Sequence, residues 1–277
     1  MFLFLLLYCC NLSAKKTGPS DNITWRVVDW PPFYITNPTS NEKGLYDGFI
    51  EQVSLELPEY KHHKVKMNTL RARKQMKMGE KICHPSVLPD TDALLSKVNS
   101  ILLPHKLIVR NEVSKLIEKR NKTMSLIDVL NMKGITIGIS PDSYTTKLNK
   151  ITKRYLKKSN VFINNDYVNL IKMLFLGRVD VIIQYSPIVR YLSHKENRED
   201  IYKVYNIKEI KDQKYTLVHV ACPKNAWGKR VINKINNFLV KESRNSRYID
   251  HRIRWYSKEE RSILKEYYKK IYLKDKR

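Results

Sequence analysis

The stretch Val27-Val28-Asp29-Trp30-Pro31-Pro32-Phe33-Tyr34-Ile35, VVDWPPFYI, is where the first structural element of this chain has to end. The apolar run Ile23–Val28 leads into it and reads as a strand. Proline has no N–H for a sheet ladder, so the strand stops at or before Pro31. Each proline also biases its predecessor towards an extended backbone. The pattern predicts a stiff, extended exit that holds Trp30, Phe33 and Tyr34 in fixed directions. Such a cluster is either a hydrophobic plug or the aromatic wall of a binding cleft, and the rest of the chain bears on the choice.

Moving outward, Asn37 to Gly44 is turn-rich, and Leu45 to Leu57 then places Phe49, Ile50, Val53 and Leu57 at helical spacing before Pro58. His63–Asn68 reads as a strand, TLRARKQMKMGE as a helix with Gly79 near its end, and KICHPSVL as a third strand. This β-α-β-α-β alternation predicts an α/β layer with a largely parallel sheet. A second run follows. HKLIVR, His105 to Arg110, is a strand; SLIDVLNMKG is a short helix with Ser125 and Asp128 in a capping-box relation. Ile135–Ser140 is a strand, about Tyr144 to Lys157 a helix, VFIN a strand, DYVNLIKMLFLG a helix closed by Gly177, and VDVIIQY a buried strand. KYTLVHVACPK, Lys214 to Lys224, reads as a long strand, and about Trp227 to Tyr272 as charged helix. Two similar units joined by two strand-like crossings, at His105–Arg110 and Lys214–Lys224, predict a two-lobed protein with a double hinge. Ligands in such architectures bind between the lobes, and closure about the hinge traps them.

Composition excludes several function classes. The chain has 277 residues, 42% hydrophobic and 10% aromatic, enough for a real core. Its net charge is +25, read either as affinity for a polyanion or as a compositional habit of a chain rich in Lys, Asn, Ile and Tyr throughout. The lysines are spread over nearly every segment and no nucleic-acid motif accompanies them, so no nucleic-acid partner is expected. Neither GxGxxG nor GxxxxGK[ST] occurs, and no cofactor is expected. His62, His63, His84 and His105 are scattered without HExxH spacing, there is no GxSxG, and Asp166 and Asp180 have no acid–base partner. The expectation is a protein that is not an enzyme. At the N-terminus, Phe2 to Cys10 is an apolar run shorter than the ~20 residues of a membrane span but suited to a signal-peptide core, with cleavage expected after Ala14. Lipid attachment at Cys10 is the lesser alternative. Export to the periplasm would leave two cysteines, Cys83 and Cys222, in a compartment that permits a disulfide.

Several segments in order resemble the extracellular solute-binding proteins of family 3, which have the type II periplasmic-binding-protein fold. DWPPFYI is similar to the first-strand exit whose aromatic lines the cleft. GLYDGFIEQV resembles the helix start that follows, MKMGEKICHPSV the helix, glycine and third strand of lobe one, KGITIGISPDSYT the first strand and anion-holding turn of lobe two, and LFLGRVDVIIQY the segment closing lobe two. WPPFYI, GEKIC and VACPKNAWGK together resemble a branch distant from the well-known amino-acid binders. The resemblance implies a two-lobed α/β fold, each lobe a mixed, mostly parallel sheet flanked by helices. Lobe one would comprise 23–107 and the returning 218–277, and lobe two 108–217, after a 1–14 signal peptide. It also implies that the third strand lies beside the strand returning from lobe two, so that Cys83 and Cys222 form a disulfide; two buried free thiols are the alternative.

The resemblance further implies ligand-binding roles. Trp30 would stack on the ligand, with Phe33 and Tyr34 beside it. Ser86 would hold a carboxylate, Ser143 and Tyr144 would donate from a turn at a helix N-terminus, and Tyr185 would close the site from lobe two. Capping and turn formation are the bland readings of these hydroxyls. The chain departs from the family at both charged halves of the amino-acid clamp. The stretch PDTDALLSKVNS has no arginine for a bidentate carboxylate contact, and the amine-binding aspartate falls near Tyr185. Arg71 or Arg73 could supply the cation, or could be ordinary exposed helix arginines. The implied function is capture of a small polar solute, an amino acid or related compound, by a monomer serving an inner-membrane ABC permease or a sensor. The alternatives are a basic module binding an anionic surface or polymer, and a binding-protein-like domain that has lost its ligand.

Overall fold

The structure, a computed structural model, describes residues 21–36, 42–89, 92–116, 122–242 and 245–274. The expected leader at 1–14, with Cys9 and Cys10, lies outside the described residues. Eleven strands among the described residues form two mixed sheets. The first sheet takes β1 (Asp21–Val27), β2 (Tyr60–Lys66), β3 (Ile82–Val87), β4 (Leu94–Leu102) and β11 (Thr216–Cys222), in the order β2-β1-β3-β11-β4. The second takes β5 (Lys106–Arg110), β6 (Thr123–Met124), β7 (Ile137–Ile139), β8 (Val161–Ile163), β9 (Val181–Gln184) and β10 (Tyr202–Ile207), in the order β6-β10-β5-β9-β7-β8.

In the first sheet β1, β2 and β3 are parallel, as their alternation with α1 (Leu45–Glu56) and α2 (Thr69–Lys77) requires. β11 returns antiparallel to both β3 and β4. Ala221 of β11 is in register with His84 of β3. That places Cys83 and Cys222 side by side, and they form a disulfide at the centre of the sheet, both fully buried.

Three strands (β4, β6 and β10) and two helices (α3, Asn111–Leu116, and α7, Ser186–Lys195) were not foreseen. β4 carries Ser96, Asn99 and Ser100, which suggest a loop, yet all three are buried and bonded. Ser96 Oγ accepts from Val220 N–H, and Asn99 Nδ2 donates to Pro85 O at 2.8 Å. β10, and α7 (Ser186–Lys195) before it, complete lobe two; β10 lies antiparallel to β5. The crossings between the sheets are shorter than expected. β5 is a central strand of the second sheet, so one crossing is Leu103–His105 and the other is the segment between β10 and β11.

The helices cover the sheets. In the second lobe these are α3 (Asn111–Leu116), α4 (Leu126–Asn131), α5 (Thr146–Lys153), α6 (Tyr167–Phe175) and α7. α8 (Ala226–Glu242) packs with α1 on the first sheet, Phe49 meeting Phe238 edge-on at 5.9 Å. α9 (Ser246–Ile253) and α10 (Lys258–Lys274) follow. Asp180 has the structural role its position suggests: its carboxylate accepts from the N–H and hydroxyl of Thr136 and pairs with Arg110. The largest apolar cluster contains residues of both lobes, from Ile23 and Trp25 to Ile182 and Ile188, with Trp30 and Tyr185 packed against it. Among the described residues no helix is long and apolar enough to cross a membrane.

Candidate functional site

The aromatic stretch after β1 is a tight turn, not the extended exit its prolines suggested. Pro31 and Pro32, joined by a cis bond, have no N–H, and the carbonyl of Trp30 accepts from the next two donors, Phe33 and Tyr34, both at 2.9 Å. The N-terminus of α1 holds this turn. Its free N–H groups at Leu45 and Tyr46 donate to Pro32 O and Phe33 O, at 3.0 and 2.8 Å. The Asp47 carboxylate accepts from Ile35 N–H and Gly44 N–H, at 2.7 and 3.2 Å. Gly44 has to lack a side chain, since a Cβ there would sit 2.6 Å from Phe33 O.

The turn delivers its rings to the carboxyl ends of the parallel strands, where open α/β sheets place ligands. Trp30 is half-buried and lies on Phe33, with ring centroids 4.5 Å apart. Phe33 and Tyr34 are buried and pack on Tyr46 at 6.1 and 4.9 Å. Two tyrosine–serine pairs lie beneath: Tyr34 with Ser86 of β3 at 2.7 Å, and Tyr46 with Ser100 of β4 at 2.8 Å. Burial pushes the Tyr34 hydroxyl well up and that of Tyr46 up to about 12, so both stay neutral. Ser86, expected to face a ligand, is engaged with Tyr34.

From the second sheet, Tyr185 at the end of β9 brings its ring 6.4 Å from Trp30. His105, in the first crossing, lies against Tyr185 at 3.8 Å and meets Tyr144 edge-on at 5.4 Å. His105 is 3% exposed, and its Nδ1 has no partner among the described residues. Burial lowers its pKa to about 3, so it is a neutral imidazole at physiological pH. Tyr144 accepts from Ser140 N–H at 2.8 Å, and burial raises it to about 12. Ser143 is exposed and donates to Ser140 O at 2.6 Å, which makes it a turn residue. At the α5 N-terminus, Thr145 Oγ1 is buried without a partner among the described residues.

Tyr144, His105, Tyr185, Trp30 and Phe33 therefore form a continuous chain of ring contacts, with Tyr34 and Ser86 bonded to each other on the first-lobe side. Arg71 does not join them. It is exposed on α2 and lines a separate cavity of about 440 Å³ with Asn22, Thr24 and Gln75. The cation nearest Tyr34 is Arg26 of β1, which is 7% exposed. It donates to Met67 O and Thr69 Oγ1, both at 3.1 Å, and forms no ion pair among the described residues. Burial lowers its pKa and the neighbouring Tyr34 partly offsets that. His84, buried close to Arg26, is held well below its ordinary value by burial and by the charges of Arg26 and Arg73. Arg26 and His105 were missed as site residues. The available signal for Arg26 was a charged residue inside the otherwise apolar run Ile23–Val28.

Beyond this cluster the lobes touch directly. Tyr191 of α7 donates to Glu42 Oε2 at 2.9 Å, Lys195 pairs with Glu42 at 2.9 Å, and Ser186 donates to Glu260 of α10 at 2.8 Å. Trp255 meets Tyr191 edge-on at 4.9 Å.

No protein-family profile and no curated protein sequence matches the chain. Solved structures do. An ancestral cationic amino acid solute-binding protein, AncCDT-1, also described as a precursor of cyclohexadienyl dehydratase, superposes with a TM-score of 0.64 at 14% identity over 86% of this chain and 96% of its own. The fold is that of the two-lobed periplasmic binding proteins. A histidine kinase sensor domain with similarity to periplasmic binding proteins shares it, with a TM-score of 0.61 at 11% identity over 86% of this chain and 96% of its own. So does the GluR0 ligand-binding core from Nostoc punctiforme, solved with L-glutamate, with a TM-score of 0.57 at 14% identity over 84% of this chain and 98% of its own.

Proposed function

We propose that this is an exported solute-binding protein of the family 3 type, with lobe one at 23–107 and 218–277 and lobe two at 108–217. It captures a small polar solute, an amino acid or a related compound, between the lobes. The observation that carries the reading is the aromatic set at the strand ends, where Trp30 from one lobe meets Tyr185 from the other and Tyr185 lies against His105 in the crossing. Trp30 stacks on the solute and Tyr185 closes over it. Arg26, a buried guanidinium with no carboxylate partner among the described residues, attracts an acidic group. Thr145 Oγ1 and the N–H groups at the start of α5 take the donor role expected of Ser143. The structural neighbours described as binding amino acids support a small amino-acid-like ligand, and the sensor-domain neighbour supports a signalling role as readily as delivery to a permease. No catalytic role is proposed.

One observation favours a second reading, a binding-protein-like domain that no longer takes a ligand. Tyr34 and Ser86 bond each other, and Ser143 bonds Ser140. Thermal unfolding of the chain from Lys15 onward, against amino acids, small peptides, polyamines and organic acids, separates the two. A ligand of the folded state raises the melting temperature saturably. Solute capture gives such a rise with one chemical class, lost in Trp30→Ala. The second reading gives none.

A further inference from the structure

A cavity of about 300 Å³ lies beside the crossings, sharing only His105 with the aromatic cluster. Its walls come from four places: the first crossing (His105) with Lys106, the second crossing (Lys211, Lys214), the β6–β10 edge (Asn206) and α10 (Glu260). The volume suits a small molecule.

The charges on this wall are unbalanced. Lys106, Lys211 and Lys214 face one carboxylate, Glu260. Glu260 is already occupied, accepting from Ser186 Oγ at 2.8 Å and from Ser257 N–H at 3.1 Å. Lys106 is half-buried, and its only hydrogen bond among the described residues goes to a neutral amide oxygen, Asn206 Oδ1, at 2.5 Å. Lys211 and Lys214 are exposed and form no ion pair among the described residues. Burial lowers the pKa of Lys106 and the Glu260 carboxylate offsets this only in part, so an anion in the cavity removes a remaining cost. His105, buried and with Nδ1 unpartnered among the described residues, adds a neutral imidazole to the same wall.

We propose that this cavity is a second ligand site, for a small anion carrying carboxylate or phosphate oxygens, held by Lys106 and Lys214 and bordered by His105. It is separate from the interlobe solute site and does not depend on it. Because both crossings contribute to its wall, an occupant holds together the segments that must bend when the lobes move. Any effect on solute affinity is reciprocal.

The test uses citrate and inorganic phosphate as probes on the full chain, with sodium chloride at matched ionic strength as the control for nonspecific screening of a basic protein. Millimolar citrate or phosphate should raise the melting temperature by roughly 5 °C beyond chloride. Lys106→Met should weaken the apparent affinity about tenfold or more, the loss of one charge-assisted contact. Lys214→Ala changes an exposed residue and should weaken it in the same direction while leaving the fold intact, which keeps the test decisive if Lys106→Met does not fold. Trp30→Ala should leave the anion effect unchanged. A rise no larger than that with chloride for both probes, or one that Lys214→Ala retains in full, overturns the proposal.

Discussion

The imidazole of His105 lies against the ring of Tyr185, with centroids 3.8 Å apart and planes 31° from parallel. One belongs to the crossing between the sheets and the other starts α7 in the second lobe. Through Tyr185 the contact reaches Trp30 of the first lobe, and through the other edge of the imidazole it reaches Tyr144. The crossing is thus packed into the aromatic wall by direct ring contact.

That burial has a pH signature. The folded pKa of His105 is about 3, below the ~6.5 of an unfolded histidine. Between these values the unfolded chain binds a proton that the folded chain does not, so stability falls as pH falls from about 6.5 towards 3. Above 6.5 both states are neutral and His105 contributes no slope. His84 and His251, also lowered mainly by burial, act in the same direction. In His105→Phe the slope of unfolding free energy against pH in this window should be smaller than in the wild type by up to about 1.4 kcal/mol per pH unit. Urea titrations at pH 4 to 7 measure it; identical slopes would contradict a buried neutral His105.

Gly44 tests how the aromatic turn is held. A Cβ there would lie 2.6 Å from Phe33 O and 2.7 Å from the Tyr34 Cα, both backbone atoms that cannot swing aside. Gly44→Ala should destabilise the chain by about 1–3 kcal/mol, as overpacking does, and should weaken solute binding by moving the turn. Chemical denaturation checks the first outcome and titration with any solute that binds checks the second.

The disulfide closes a span of 139 residues and joins the two central strands of the first sheet. Cys83→Ala/Cys222→Ala should lower unfolding free energy by about 2–5 kcal/mol. Since both cysteines are fully buried, a mild reductant should act on the native protein only slowly, and quickly once denaturant is added. Thiol labelling with and without denaturant reads this out.

The contacts of α7 with the first lobe should set how open the molecule is. Trp255→Ala combined with Tyr191→Phe removes the ring contact and the hydrogen bond to Glu42. The variant should have a larger radius of gyration by small-angle X-ray scattering with little loss of stability, because the change affects the packing between lobes and not within them. An unchanged radius would show that these contacts do not hold the lobes together.

The alternation of strand and helix was legible because each parallel strand of the first sheet is bounded by a helix of clear apolar period, as in Leu45–Glu56. The pairing of Cys83 with Cys222 followed from the resemblance and from the place it gave β11. β4 was hidden by its polar residues: Asn99 is buried because Pro85 O and Tyr248 Oη meet it there, partners far away in the sequence. The same holds for the site. Trp30, Tyr144 and Tyr185 were singled out by motif and lie in one chain of ring contacts, whereas Arg26 is buried because its partners Met67 and Thr69 fold over it from 41 and 43 residues away. His105 stood alone in the sequence, and its significance comes from the rings that fold around it. Ser143 looked like a ligand donor, but the short reach to Ser140 O inside its own turn engages its hydroxyl first.

The central claim is that one small solute touches both lobes. Calorimetric titration of the wild type, Trp30→Ala and Tyr185→Ala with the compound that raises the melting temperature tests it most directly. Saturable one-to-one binding that weakens tenfold or more in each variant, one altered in each lobe, is the expected result. Binding of unchanged affinity in both variants, or no saturable heat with any compound of the panel, would contradict it.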